Sequence, residues 1–104
     1  DVSGYDLPEL NIAVEQCDFQ MLPACDWIVN CAAYTDVDGS ETNQDTAFAV
    51  NHYGAARVAE WAEARGISLI HISTDYVFDG SGSVPRNEEC ATNPLRSGRP
   101  ASVL

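Results

Sequence analysis

Two short apolar runs joined by a helical pattern constrain the fold of this chain more than any other feature. The runs cover residues 27–33 and 67–72, and both have the length of a strand. Continuous apolar runs of this length are typical of parallel strands that are buried on both faces of a sheet. Between them the sequence predicts a helix over 45–65, ended by Gly66 and marked by one apolar stripe: Ala47, Val50, Gly54, Val58 and Trp61.

The order strand, helix, strand predicts an α/β fold built on a βαβ unit. Two short buried strands joined by a long helix are expected to be parallel, with a right-handed crossover. The carboxyl ends of parallel strands emerge at one edge of the sheet, where open α/β sheets bind their ligands. We therefore expect the loops after Ala33 and Ile72, which are rich in hydroxyls and carboxylates, to line one shared cleft.

The rest of the chain gives weaker patterns. Pro8 limits any strand over 5–10 to the edge of a sheet. Asn11 is a suitable cap for a short helix over 13–22. Turn-forming and polar residues predict loops and irregular structure over the remaining segments, which are 34–44, 73–82 and 83–104.

The charge balance excludes several classes of partner and mechanism. Five Arg and no Lys oppose sixteen Asp and Glu, which gives a net charge of −11. Scattered arginines cannot form the basic face that nucleic acid requires, and an anionic membrane surface is disfavoured for the same reason. No apolar stretch approaches the roughly 18 residues of a membrane span. The lack of lysine also excludes Schiff-base chemistry and the P-loop phosphate contact.

Cysteines and acidic motifs do not predict a metal site. The four cysteines form no C-x-x-C pair and no signal peptide is visible, so we expect reduced, mostly buried thiols in a cytoplasmic protein. The motif Asp36-x-Asp38-Gly39 resembles the start of a calcium loop. An EF-hand requires Gly at position 6 and Glu at position 12, whereas here Gly39 stands at position 4 and Ala47 at position 12.

Three polar clusters are candidates for a ligand site, and each also has a structural interpretation. Residues 30–35 end the first strand with small side chains, which suit either close approach of a flat ligand or packing under the helix. Residues 73–76 end the second with two hydroxyls and a phenol, which suit a site or a simple turn. Asn51 is either a site residue or a surface amide. His71 is expected to be buried and hydrogen-bonded rather than catalytic, and His52 to lie on the surface.

Segments 29–38, 49–51 and 72–80 carry a resemblance to a known family. They are similar, in order and spacing, to dTDP-4-dehydrorhamnose reductases of the extended short-chain dehydrogenase/reductase superfamily. The resemblance implies a Rossmann-like, doubly wound parallel sheet, of which this chain is an internal fragment. It also implies a partial NAD(P)-binding domain over 1–95 and a divergent, irregular tail over 96–104.

The resemblance further implies an activity and a set of site residues. These reductases use NADPH or NADH to reduce the 4-keto group of a dTDP-linked 6-deoxyhexose in dTDP-L-rhamnose biosynthesis. The resemblance therefore implies that the full-length parent binds this nucleotide sugar, and a homodimer is a possible assembly of that parent. Matching positions assign catalytic roles to Thr74 and Asn51. The resemblance also implies that Thr74, Asp75 and Tyr76 bind the substrate. The implied cofactor-binding residues are Asn11, Ile12, Ala32, Ala33, Tyr34 and Thr35.

Other parts of the chain depart from the family pattern. The superfamily's proton donor is a tyrosine in a Tyr-x-x-x-Lys motif, but no tyrosine follows Tyr76 and residues 96–104 replace the motif after Leu95. The glycine-rich dinucleotide turn is absent as well. We therefore expect the chain alone to be inactive. The alternative is a non-catalytic nucleotide-binding or regulatory protein on the same scaffold, like the regulatory subunit of methionine adenosyltransferase.

Overall fold

The predicted strand–helix–strand unit is present in the computed structural model, which describes residues 1–94. Strand β1 spans Trp27–Asn30 and strand β2 spans Ser68–His71, so both are shorter than the apolar runs that predicted them. They pair in parallel, with Trp27 opposite Ser68 and Asn30 opposite His71. The fold is therefore α/β, as expected. The predicted tail over 96–104 lies outside the described residues.

The connection between the strands is helical but not one uninterrupted helix. Helix α1 spans Val37–Thr42, α2 spans Gln44–Phe48 and α3 spans Ala55–Arg65, and a π-helical segment over Ala49–Gly54 joins α2 to α3. The predicted helix over 45–65 is confirmed in extent, and Gly66 ends it with a φ of 66°. The prediction of a loop over 34–44 is wrong in part, because it contains α1.

The two elements predicted before residue 27 do not form. Instead of a strand over 5–10 there is a turn, in which the Leu10 N–H donates to the Asp6 carbonyl at 3.0 Å. Instead of a helix over 13–22 there is a single 3-10 turn over Phe19–Met21. The Asn11 side chain accepts from the Ala13 N–H at 3.0 Å, and this local bond stabilises a turn rather than a helix start.

The hydrophobic core lies between α3 and one face of the sheet. Ile12, Phe19 and Val58 are buried there, and Ile28 and Leu69 pack against them from the two strands. The aromatic ring of Phe19 lies 5.6 Å from the Trp61 ring, measured between centroids. The helical stripe therefore points inward as predicted, with Ala47, Gly54 and Val58 buried and Val50 and Trp61 half-buried.

The opposite face of the sheet is exposed, so the prediction that both faces are buried is wrong. Trp27 is 62% exposed, Val29 56%, Ile70 44% and Ile72 57%. Alternate residues of a strand point to opposite faces, which places these four on the face away from α3. A parallel sheet needs a layer of helices on each face. Within residues 1–94, α3 covers one face and leaves this apolar surface in contact with solvent.

Two expectations about single side chains are also corrected. Cys25 and Cys31 are exposed and Cys17 and Cys90 are half-buried, so the four free thiols are not mostly buried. His71 is hydrogen-bonded but exposed, because it lies at the end of β2, whereas His52 lies on the surface as predicted. No helix in the described part of the chain is long and apolar enough to cross a membrane.

The exposed sheet face generates a prediction about solubility. Val29→Thr together with Ile70→Thr removes apolar surface from that face and leaves the packed face unchanged. We expect lower fluorescence of the dye ANS, a higher solubility limit and an unchanged helical circular dichroism signal. The matched control, Ile28→Thr with Leu69→Thr, places hydroxyls against the core and should destabilise the fold by about 1–3 kcal/mol per site. Equal ANS fluorescence in the Val29/Ile70 variant and the wild type would contradict this assignment.

Candidate functional site

The two strands end side by side at one edge of the sheet. Asn30 is the last residue of β1 and pairs with His71, the last residue of β2. The Ile72 N–H donates to the Asn30 carbonyl at 3.1 Å, which extends the pairing into the second loop. The loops after the strands therefore begin at a common edge, as the sequence predicted, and the shared cleft between them stays a prediction. Their residues form the candidate site.

Asn30 organises this edge, a role that the sequence did not assign. It is buried, and its Nδ2 lies 3.2 Å from Nδ1 of His71. Its Oδ1 accepts from the Ala32 N–H at 3.1 Å, so one side chain joins β2 to the loop after β1. An asparagine inside an otherwise apolar strand is the signal that could have identified it, because a buried amide requires partners.

The loop after β1 presents small side chains and is held from the helix. Ala32, Ala33 and Thr35 are exposed, so a flat ligand could approach their backbone. Tyr34 is half-buried, and the Asn51 side chain hydrogen-bonds both its backbone N–H and its backbone carbonyl. Oδ1 of Asn51 accepts from the Tyr34 N–H at 2.8 Å, and Nδ2 donates to the Tyr34 carbonyl at 3.2 Å.

The contacts of Asn51 argue against one of its two interpretations, the surface amide, and its role in a site stays a prediction. Asn51 lies in the π-helical segment, a feature that occurs often at functional sites. Because its amide binds the backbone of a residue 17 positions away, it is not a simple surface amide. Its two hydrogen bonds hold the loop after β1 against the helical connection.

The first predicted cofactor segment, Asn11 and Ile12, docks on the same helical run. Asn11 is exposed, whereas the Ile12 side chain is buried in the core. The Ile12 carbonyl accepts from Nη1 of Arg57 at 2.9 Å. A Cβ on Gly54 would lie 2.8 Å from Cγ1 of Ile12, so glycine is what permits this approach. The Ile12 side chain thus holds the segment against the core, and its role in cofactor binding stays a prediction.

The loop after β2 begins with a 3-10 turn over Asp75–Val77, capped by Thr74. Oγ1 of Thr74 accepts from the Tyr76 N–H at 3.2 Å, and the hydroxyl donates to Oδ1 of Asp75 at 3.4 Å. Thr74 is half-buried, while Asp75 and Tyr76 are exposed. The predicted substrate residues are therefore brought together within one turn at the common edge.

Other features of the described structure do not add to this site. A surface groove at the amino-terminal end of the strands includes Cys25, Trp61 and Ile67 but none of the predicted site residues. Within residues 1–94 no three His, Cys, Asp or Glu side chains converge as metal ligands. Burial raises the pKa of the Cys17 thiol against the opposing charge of Arg57, so this thiol is not activated.

Comparison with known proteins identifies the family. The family model described as the RmlD substrate binding domain matches residues 5–98. The chain belongs to this family. A dTDP-4-dehydrorhamnose reductase of Mycobacterium tuberculosis is 53% identical over 66 residues, which cover 62% of this chain and 22% of the relative. One from Aggregatibacter actinomycetemcomitans is 36% identical over 97 residues, covering 91% of this chain and 33% of the relative.

A solved structure from the same family supports the fold. The crystal structure of a dTDP-4-dehydrorhamnose reductase from Clostridium acetobutylicum matches with a TM-score of 0.68 and 36% identity. The match covers 75% of this chain and 27% of that one. The RmlD-family chain therefore contains part of a Rossmann-like fold, as the resemblance implied. It spans about a fifth to a third of the length of these relatives.

The two bonds from Asn51 to Tyr34 generate a prediction. Asn51→Ala removes both, so amide hydrogen exchange at Tyr34 should become about tenfold faster or more, since each such bond contributes roughly 1 kcal/mol. The control Gln44→Ala removes an exposed amide from the same helical region and should leave that rate unchanged. Exchange at Tyr34 that is equally fast in the wild type and in Asn51→Ala would show that the amide does not hold the loop.

Proposed function

We propose that this chain is part of a reductase that converts the 4-keto group of a dTDP-linked 6-deoxyhexose into an alcohol, with NADPH or NADH as cofactor. Residues 1–95 would form part of its NAD(P)-binding domain. The names of the relatives support the reaction, and the common edge of the sheet supports the location of the site. The four free thiols favour a cytoplasmic protein.

The geometry of Thr74 is the observation that carries this proposal. Because the Tyr76 N–H already binds Oγ1, the hydroxyl proton of Thr74 is directed away from that donor. Its present acceptor is Oδ1 of Asp75 at 3.4 Å, which is a long contact that a substrate oxygen can replace. A hydroxyl held in this way can donate to a keto oxygen and stabilise the negative charge that develops there during reduction.

The loop after β1 supports the proposed cofactor contact. Ala32 and Ala33 leave the backbone open at the carboxyl edge of β1, and Asn51 holds the next residue in place. This edge is where open α/β sheets bind nucleotides. The bound cofactor supplies the hydride. In this proposal the chain's own residues orient the cofactor and bind the carbonyl oxygen.

The proton that completes the alcohol has no matching donor in this chain. The family's Tyr-x-x-x-Lys motif is missing from the 104 residues, which contain no lysine. The absence of this motif is also compatible with the alternative, a non-catalytic nucleotide-binding or regulatory protein on the same scaffold. The reductase names of the similar proteins favour the enzyme, and this chain then contributes only part of the active site.

We expect no reductase turnover from the chain alone. The purified chain, mixed with NADPH and the 4-keto nucleotide sugar, should oxidise NADPH no faster than the buffer does, because neither the proton donor nor the ribose contact of that motif is supplied. The M. tuberculosis relative, assayed in parallel, provides the positive control. Turnover by the chain at about 1 s⁻¹ or faster, which is typical of enzymes, would contradict this expectation.

A chimera tests the role of Thr74 directly. The matching segment of the M. tuberculosis reductase is replaced by that of this chain, which is 53% identical over the 66 aligned residues, and we expect the chimera to be active. Thr74→Val in the chimera removes one donor to the keto oxygen and should lower kcat by about 100- to 1000-fold. Thr46→Val, at an exposed threonine of α2, is the control and should have little effect. Full activity of the Thr74→Val chimera would refute the proposal.

A further inference from the structure

The Asp79 carboxylate lies just beyond the 3-10 turn and accepts four hydrogen bonds. Its Oδ1 accepts from the backbone N–H of Ser81 at 2.9 Å, from the Ser81 hydroxyl at 2.7 Å and from Nη2 of Arg86 at 3.3 Å. Its Oδ2 accepts from Nδ2 of Asn93 at 3.1 Å. A turn that needed only to reverse the chain would not require donors from residues 86 and 93.

Asn93 joins this carboxylate to the turn itself. Its backbone N–H donates to the Val77 carbonyl at 3.0 Å, while its side chain donates to Asp79. Val77 is the last residue of the turn that Thr74 caps. Asn93 therefore contacts the turn through its backbone and Asp79 through its side chain, so Asp79 determines where that side chain lies.

Arg86 makes a second connection to the same loop. Its Nη2 donates to the Ser81 carbonyl at 2.8 Å, and its guanidinium lies 4.9 Å from the centre of the Phe78 ring. Of the partners of Asp79, only Arg86 carries a charge. The pair Arg86–Asp79 is the one ion pair within residues 1–94, and both side chains are partly exposed.

We propose that Asp79 is a positioning residue for substrate binding, whose carboxylate, through Asn93 and Arg86, holds the turn that presents Thr74, Asp75 and Tyr76. This inference rests on the proposed function for its biological meaning, since those three residues are the proposed substrate contacts. Residues 79–94 have no regular secondary structure. Holding such a segment in one conformation requires bonds that offset its conformational entropy, and charge-assisted hydrogen bonds are the strongest ones available.

The ionisation of Asp79 agrees with this geometry. The Ser81 hydroxyl, the Ser81 N–H and Asn93 lower the pKa of the carboxyl from its ordinary value of 3.8 to about 2, with a smaller contribution from Arg86. The carboxylate is thus charged throughout the physiological range. Stabilisation of the loop by this charge is complete above the ordinary pKa and is lost as the pH falls through the lowered one.

The experiment measures the pKa of Asp79 and amide exchange in the full chain by NMR. Every partner atom lies within residues 77–93, so these bonds can be observed without catalysis. We expect a carboxyl pKa of about 2 in buffer and a return towards 3.8 in concentrated urea. Ser81→Ala should raise the pKa more than Asn93→Ala, because the Ser81 hydroxyl makes the largest contribution. A pKa at the ordinary value in buffer would overturn the proposal.

Amide exchange then tests whether Asp79 acts on the turn. Asp79→Ala should speed exchange at Asn93 and at Tyr76 by about tenfold, as expected for the loss of charge-assisted bonds that support them. Glu88→Gln is the matched control, since it removes the same charge from an exposed position of the same segment, and should change neither rate. Unchanged exchange at Tyr76 in Asp79→Ala would overturn the proposal.

A third measurement separates this inference from the proposed function. dTDP-glucose is titrated into the wild type, Asp79→Ala and Glu88→Gln, and amide shifts are followed at Thr74, Asp75 and Tyr76. We expect shifts in the wild type and in Glu88→Gln that are at least halved in Asp79→Ala. Equal shifts in all three proteins would overturn the inference alone. An absence of shifts in the wild type, with the exchange effects present, would contradict the part of the proposed function that makes Thr74, Asp75 and Tyr76 the substrate contacts, and would leave Asp79 as an organiser of the loop only.

Discussion

The parallel pairing of β1 with β2 is the constraint on which the rest of the structure depends. Parallel strands cannot be joined by a tight turn, so the chain between them has to return along the sheet, and here it does so as three helices and a π-helical segment. The same pairing brings Asn30 and His71 together at one edge. Two loops that are about forty residues apart in sequence consequently start next to each other.

The sequence predicted the features that depend on local patterns. Both strands, the long helical region and its end at Gly66 follow from apolar spacing and from one glycine with a positive φ. The π-helical segment could not be predicted, because the apolar spacing through Val50 and Gly54 is compatible with an ordinary helix. Helix α1 was not predicted because it has almost no apolar stripe. Its amino-terminal cap, Asp36 accepting from the Gly39 N–H, lies in a segment that otherwise has the composition of a loop.

The exposed sheet face was mispredicted for a different reason. Apolar residues on both faces of a strand indicate that the strand requires a packing layer on each face. They do not show that residues 1–94 contain both layers. Ile28 and Leu69 are packed because α3 lies over them, whereas Val29 and Ile70 remain exposed. Burial depends on partners that a strand pattern alone does not specify.

The candidate site is held mainly by hydrogen bonds to backbone groups that are distant in sequence. Asn51 binds Tyr34, Arg57 binds Ile12 and the Asn93 backbone binds Val77, over separations of 17, 45 and 16 residues. None of these pairs can be read from sequence spacing, and Arg57 in particular has the appearance of a surface charge on a helix. The turn capped by Thr74 is the local part of the site, and the sequence around it was enough to indicate a turn there.

Structural contacts also occupy the cations of residues 1–94. Arg57 binds a carbonyl, Arg65 lies 4.6 Å from the centre of the Trp61 ring and Arg86 binds Asp79. The other two arginines lie outside the described residues. Within residues 1–94, all three cations therefore have structural contacts in a chain with a net charge of −11. Both proposed ligands carry phosphates, and a field of this sign repels them. In the proposed site Thr74 would bind the keto oxygen and the loop after β1 would contact the cofactor. Affinity for the phosphates then has to come from backbone N–H groups or from groups outside residues 1–94.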